Sequence, residues 1–213
     1  MTAAVTGRII RTMDCVAEGA AWLAERDPRM AHALDRCGLP PLRRRPDGFA
    51  TLLHAVVGQQ VSTASAAAIW ARMEGAGLTE AAAIAAASEA ELRAAGLSRP
   101  KVRYARGLAT SGLDFALLRD MPDSEVLARL VALPGIGPWT AEIYALTALG
   151  RADVFPPGDL ALQEAARILY ALPGRPAPAE FRVMAEQWSP WRAVAARMLW
   201  AFYRAEKTRE GIA

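Results

Sequence analysis

The segment at residues 133–141, with the sequence LPGIGPWTA, most strongly constrains the fold of this chain. Two glycines flank one aliphatic residue, and a proline stands on either side of the group. Glycine adopts positive φ at little cost and lets a phosphate approach the backbone, so the pattern is typical of a tight turn between two helices. The alternative is an ordinary helix end followed by a proline at the first position of the next helix.

Helical patterns stand on both sides of this turn. Residues 123–133 carry apolar side chains at helical spacing after an Asp/Ser cap signal, and residues 138–149 do so until Gly150. The sequence therefore predicts a helix-hairpin-helix over about 123–149. Asp159 follows a Pro-Pro-Gly turn and opens the next helical run, a position typical of an N-cap residue. One interpretation of Asp159 is that it caps this helix and has no other function.

The rest of the chain also favours helices. Residues 11–34 fit one or two helices, a helix follows from Phe49, and residues 88–91 form a capping box. Pro100 suits a first helical turn, and the arginine run at 43–45 is typical of an exposed basic linker. No stretch alternates with period two for long enough to indicate a sheet, so we expect an all-α fold.

Composition narrows the class of protein. A net charge of +3 and a pI near 9.2 permit a polyanionic partner without requiring one. Cys15 and Cys37 are the only cysteines, which excludes a disulfide scaffold and a four-cysteine iron–sulfur cluster. The N-terminus lacks an apolar signal region and no long uncharged apolar run occurs, so we expect a cytoplasmic protein that does not contact membranes.

Several separated motifs in a fixed order carry a resemblance to one family. They are the hairpin, DVFPPGD at 153–159, WSPWR at 188–192, GQQVS at 58–62 and GLSRPK at 96–101. Over roughly residues 48–203, the chain resembles the helix-hairpin-helix, Gly/Pro-Asp (HhH-GPD) superfamily of DNA glycosylases, in its 3-methyladenine glycosylase II branch.

The resemblance implies an all-α fold of two helical subdomains with the active-site cleft between them. We expect the N-terminal helices of residues 1–47 to pack with the C-terminal helices, and residues 48–165 to carry the hairpin. Residues 166–213 would complete the second subdomain. An N-terminal β-rich domain that relatives often carry is expected to be absent.

Asp159 is the predicted catalytic residue. Breaking the bond between a base and deoxyribose builds positive charge on the sugar, and a carboxylate beside C1′ stabilises that charge or positions water. The backbone N–H groups and dipole at a helix N-terminus would hold the carboxyl group ionised.

The resemblance also implies a base pocket lined by Trp139, Trp200 and Ile143. Cationic alkylated purines would stack on the tryptophan faces; the alternative for each tryptophan is a core position. Ile143 and Ala201 stand where some relatives have tyrosines, which predicts a roomier pocket.

Trp139 also occupies the position of the nucleophilic lysine of bifunctional family members. No lysine lies between Lys101 and Lys207, so we expect hydrolysis without lyase activity.

Contacts with DNA are expected at two places. Gln60 matches the wedge that fills the gap left by an extruded nucleotide, although a polar residue closing a helix is the alternative. The backbone at Gly135, Gly137 and Thr140 would hold phosphate.

The resemblance further implies a monovalent cation, Na⁺ or K⁺, on the hairpin. Its ligands would be the backbone carbonyls of Val131, Leu133 and Ile136. No cofactor is expected to be required.

The sequence thus predicts a monomeric, monofunctional glycosylase that excises alkylated purines of the 3-methyladenine type from damaged double-stranded DNA in base excision repair. Two alternatives remain: a non-catalytic helix-hairpin-helix DNA-binding protein, and a glycosylase for oxidised or mismatched bases. The missing lysine and the tryptophans disfavour the last of these.

Overall fold

The computed structural model describes residues 7–209 and confirms the all-α fold. This part of the chain contains twelve α-helices, two short 3₁₀ helices, a π-helical turn and no β-strand; the extended backbone pairs only at one isolated bridge, Ile9 with Arg151. The α-helices are α1 (Met13–Arg26), α2 (Pro28–Cys37), α3 (Phe49–Val57), α4 (Thr63–Gly75), α5 (Ala81–Ala86), α6 (Glu89–Ala94), α7 (Arg99–Ala109), α8 (Asp123–Val131), α9 (Pro138–Tyr144), α10 (Leu160–Leu169), α11 (Pro178–Met184) and α12 (Arg192–Arg209). Between residues 7 and 209, no helix is both long and apolar enough to cross a membrane.

The described residues form two compact units. One comprises residues 45–144, and the other comprises 7–44 together with 145–209. The second break in the chain thus falls at 144, whereas the sequence placed a boundary at 165. The reason is packing: α10 lies against α12, and Arg197 of α12 donates to the carbonyl of Leu146, so the segment after 144 joins the C-terminal helices.

The unit of residues 45–144 is built around α3. The apolar side chains of Leu52, Leu53, Val56 and Val57 are buried there, and α7 and α9 both pack against this helix. The buried Lys101 ammonium donates to the carbonyl of Val57 over 2.6 Å, which satisfies the C-terminal end of α3. Burial lowers the pKa of Lys101.

The second unit is built around α12. Every residue from Ala193 to Trp200 is buried, and α1, α2 and α10 pack around the helix. Asp27 caps α2 by accepting from the backbone N–H of Arg29 over 2.9 Å. Its carboxylate also accepts from Nε1 of Trp188 over 3.2 Å and from the Tyr170 hydroxyl. Burial and then Asp27 raise the pKa of Tyr170.

The helix that follows the hairpin changes character along its length. It is α-helical over Pro138–Tyr144 and π-helical over Ala145–Leu149. It ends at Gly150, as predicted, where φ is 75°. A Cβ atom at Gly150 would lie 2.7 Å from the Ile10 carbonyl oxygen, so this close approach of two backbones requires glycine.

Candidate functional site

The predicted hairpin is present between α8 and α9. The turn is closed by hydrogen bonds from Leu133 N to Leu130 O and from Ile136 N to Leu133 O, each 3.1 Å. Gly135 has φ of 81°, and a Cβ atom there would lie 2.3 Å from the Tyr104 ring. Gly137 differs, because a Cβ atom there would meet nothing within 4 Å. The two glycines therefore have different roles. Gly135 is required by the positive φ of the turn and the close contact with Tyr104, whereas the absence of a side chain at Gly137 leaves its backbone accessible.

Gln59 connects the 58–62 motif to the hairpin. Its Nε2 donates to the Gly135 carbonyl over 2.9 Å and to Oγ1 of Thr140 over 3.3 Å. The sequence reasoning overlooked Gln59, although it stands beside Gln60 in the same motif. Gln60 itself is exposed, lies beyond the end of α3 and has φ of 56°.

The residues predicted to contact the base or DNA from α9 have unequal exposure. Trp139 is 43% exposed, which excludes the alternative of a core tryptophan. Ile143 is half-buried and lies one turn further along the same helix face. Thr140 is buried and its hydroxyl accepts from Gln59, so only its backbone N–H is suited to a phosphate.

Asp159 is the N-cap of α10, as the sequence predicts. Its Oδ1 accepts from the backbone N–H groups of Ala161 and Leu162, each over 3.0 Å. The preceding turn is fixed by a hydrogen bond from Asp159 N to Pro156 O, and by the buried Gln163 side chain, whose Nε2 donates to Pro157 O over 2.8 Å. The carboxylate is thus held in one position by the backbone around it.

Trp200 meets Asp159 in the same unit. Its Nε1 donates to Oδ1 of Asp159 over 3.3 Å, and the residue is only 9% exposed. The core alternative therefore fits this tryptophan, and its role as a base contact stays a prediction. The Arg43 guanidinium lies over the Trp200 ring, with Cζ 5.2 Å from the ring centroid.

The predicted exposed linker at 43–45 is correct for Arg44 and Arg45 and wrong for Arg43. Arg45 is exposed, whereas Arg43 is half-buried against Trp200. The backbone before Arg43 is held by Arg197, whose Nε donates to Leu42 O over 2.9 Å. Arg197 is fully buried, and burial, followed by the charges of Arg43 and Arg44, lowers its pKa to about 10. An arginine run resembles a solvated face in sequence, so no local signal marks these positions.

The hairpin carbonyls are compatible with the predicted monovalent cation. Leu133 O accepts the Ile136 N–H, which uses one of its two lone pairs. Val131 ends α8, where helical carbonyls lack an intrahelical partner. Among residues 7–209, no three His, Cys, Asp or Glu side chains are grouped as metal ligands. The cation, if held, would use backbone oxygens, and this stays a prediction.

A hairpin between two helices, followed by an aspartate at the next helix N-terminus, defines a class of DNA repair proteins. The family described as HhH-GPD superfamily base excision DNA repair protein matches residues 53–192. The chain therefore belongs to the HhH-GPD superfamily.

Particular relatives agree with this assignment. The chain is similar to a crystal structure of a DNA-3-methyladenine glycosidase from Bacillus halodurans, with a TM-score of 0.78, 32% identity, and coverage of 92% of this chain and 91% of that one. It is also similar to the Schizosaccharomyces pombe 3-methyladenine DNA glycosylase Mag1 in complex with abasic DNA, with a TM-score of 0.76, 25% identity, and coverage of 91% and 97%.

Two curated relatives that are longer than this chain also match it. DNA-3-methyladenine glycosylase 2 of Escherichia coli is 32% identical over 72% of this chain and 57% of its own length. A Mycobacterium tuberculosis protein named "Probable bifunctional transcriptional activator/DNA repair enzyme AlkA" is 32% identical over 94% of this chain. The chain spans only 42% of that relative's length.

Proposed function

We propose that this chain is a monofunctional DNA glycosylase that hydrolyses the N-glycosidic bond of alkylated purines, of the 3-methyladenine type, in damaged double-stranded DNA. One observation carries the proposal: a carboxylate fixed at a helix N-terminus, Asp159, with the Trp200 indole donating to the same carboxylate oxygen. The 3-methyladenine glycosylases among the relatives and similar structures support the substrate class.

Asp159 would act by electrostatics. As the bond between C1′ and the base lengthens, the sugar gains positive charge, which a nearby carboxylate stabilises. Three donors to Oδ1 keep the carboxylate from turning away, so little reorganisation is needed at the moment of reaction. A purine alkylated at N3 or N7 leaves as a neutral molecule, so the chain need not supply a strong general acid.

The proposed base contacts are one buried and one exposed tryptophan together with Ile143. Trp200 would offer its ring to the extruded base beside the Asp159 carboxylate. Trp139, which is 43% exposed, and Ile143 on the same face of α9 are the other proposed base contacts.

The proposed contacts with DNA lie on and beside the hairpin. The backbone at Gly135, Gly137 and Thr140 would hold phosphate without reading sequence, and a hairpin cation would add positive charge there. Gln60, exposed in the middle of the 58–62 motif, would fill the gap left by the extruded nucleotide. A chain that performs these steps needs no second copy and no membrane, so we propose a cytoplasmic monomer.

One assay tests the proposal against both alternatives. The protein is incubated with duplexes that carry 7-methylguanine, 8-oxoguanine or a mismatched base, and the free base is measured. Release of the alkylated base with an intact abasic strand is expected. Release of the oxidised or mismatched base alone would assign the chain to that class of glycosylase. Binding without any release would make it a non-catalytic DNA-binding protein.

A further inference from the structure

The Trp200 ring is shared by two charged groups. At its edge, Nε1 donates to Oδ1 of Asp159 over 3.3 Å, and over its face lies the Arg43 guanidinium, 5.2 Å from the centroid. A base stacked on Trp200 would therefore meet Arg43 as well as the indole. Neither the sequence motifs nor the proposed function uses this arginine.

The structure holds the backbone around Arg43 in place on both sides. Arg197, fully buried, donates from Nε to Leu42 O, and its Nη1 and Nη2 bond to the carbonyls of Ala193 and Leu146. On the other side, the Arg44 side chain lies against Gly150, where a Cβ atom would be 2.2 Å from Nη1. Arg43 itself has φ of 50°, in the left-handed region that arginine seldom adopts. The backbone from which the Arg43 side chain projects is thus set by the fold, and its guanidinium lies over the Trp200 ring.

A fixed guanidinium at this place affects cationic and neutral bases in opposite ways. Any base that stacks on the indole meets Arg43 there, and a cationic base is in addition repelled by its charge. A neutral base gains from it. When the C1′–N bond breaks, the electron pair goes to the base nitrogen, so a neutral base leaves with negative charge that a guanidinium can stabilise. Water then supplies hydroxide to C1′ and its remaining proton to the base, which balances the hydrolysis.

We propose that Arg43 is a specificity-determining residue that raises the excision of neutral purines, such as hypoxanthine, relative to that of cationic alkylated purines. The inference rests on the proposed function, because it concerns which bases the same site releases. If the inference is correct, Arg43 changes the ratio of the excision rate of neutral purines to that of cationic alkylated purines. A residue that only supported the fold would change both rates together.

The test compares single-turnover excision of hypoxanthine and 7-methylguanine from otherwise identical duplexes. Two neutral variants, Arg43→Gln and Arg43→Met, remove the charge, and Arg43→Met also keeps an apolar stem against Trp200. We expect both to lower the ratio of the hypoxanthine rate to the 7-methylguanine rate by about fivefold or more, in keeping with the loss of one partly desolvated cation. Arg43→Lys, which keeps the charge but not the planar fork, should give an intermediate ratio.

Arg45→Gln is the matched control, because it removes the same charge from the exposed end of the same run. It should leave the ratio at the wild-type value. An equal shift in Arg45→Gln, an unchanged ratio in the neutral Arg43 variants, or loss of both activities in folded Arg43 variants would overturn the inference. Wild-type protein that releases neither base would refute the proposed function and this inference with it. If the wild type releases both bases but the neutral Arg43 variants leave the ratio of the two rates unchanged, the inference is refuted while the proposed function stands.

Discussion

At the scale of single residues, Asp159 combines two demands on one carboxylate. As the N-cap of α10 it satisfies two backbone N–H groups, and as the proposed catalytic group it must remain charged and fixed. These demands do not conflict, since the backbone donors that stabilise the helix also fix the carboxylate in place. The capping alternative raised by the sequence is therefore confirmed as geometry without excluding catalysis.

Asp159→Asn separates the two demands. Asparagine caps helices about as well as aspartate, so the free energy of unfolding should change by less than about 1 kcal/mol. Base release should fall by more than about a hundredfold, because one preorganised charged group is lost. Thermal denaturation and single-turnover excision measure the two effects. Asp153→Asn is the control, since Asp153 pairs with Arg192 at 2.8 Å and should affect stability far more than excision. Wild-type excision by Asp159→Asn would remove this residue from the mechanism.

The lowered pKa of His54 predicts that the free energy of unfolding depends on pH. Burial, and then the charge of Arg45, lowers the pKa of His54 below its usual 6.5, although Glu74 opposes this, and the ring packs edge-on against Trp70. The unfolded chain therefore binds a proton more readily than the folded one, and stability falls as pH decreases through 6.5. Above that pH the residue is neutral in both states and has no such effect.

Urea denaturation at pH 7.5, 6.5 and 5.5 checks this dependence. The free energy of unfolding of the wild type should decrease between pH 7.5 and 5.5. In His54→Gln the decrease should be smaller, because the titrating group is gone. Parallel pH profiles for the two proteins would show that other groups cause the decrease.

At the scale of elements, substitutions at the two glycines of the hairpin test separately what the turn needs for stability and what it needs for DNA binding. Gly135→Ala places a Cβ atom 2.3 Å from the Tyr104 ring at a φ of 81°, so we expect a loss of about 1–3 kcal/mol in stability. Gly137→Ala meets no atom within 4 Å and should cost less than about 1 kcal/mol.

Binding measurements complete this comparison. If phosphate approaches the backbone at Gly137, Gly137→Ala should weaken binding to damaged and undamaged duplexes by similar factors, since phosphate contacts carry no base information. Stability is followed by thermal denaturation and binding by fluorescence anisotropy. Unchanged affinity in a stable Gly137→Ala protein would place the phosphate contact elsewhere.

At the scale of the whole molecule, the proposed chemistry requires that no amine attack the sugar. Lys101 is buried and donates to the carbonyl of Val57, and the family resemblance implies that Trp139 stands where bifunctional members carry a lysine. Borohydride should therefore trap no covalent protein–DNA adduct, and strands should break only after alkali treatment. A trapped adduct would reveal an amine nucleophile and contradict the monofunctional assignment.

The sequence predicted the local parts of this molecule better than the distant ones. The capping box at Ser88, the start of α9 at Pro138 and the N-cap at Asp159 were all predictable, because caps are set by residues within one helical turn. The hydrogen bond from Gln59 to Gly135 joins residues 76 positions apart. The contact of Arg43 with Trp200 likewise depends on tertiary packing. Nothing in the neighbouring sequence marks such partners, and the boundary at 144 was missed for the same reason.

Because the tryptophans differ in exposure, the intrinsic fluorescence of the protein can report on the surroundings of one of them. Trp188, Trp191 and Trp200 are 0%, 2% and 9% exposed, whereas Trp139 beside the hairpin is 43% exposed. Iodide in solution should quench the fluorescence of Trp139 more than that of the buried rings. Subtracting the spectrum of Trp139→Phe isolates this signal from those of the half-buried Trp22 and Trp70. A duplex bound at the hairpin should protect the Trp139 ring from iodide. DNA binding can then be measured as a decrease in fluorescence quenching, without a label.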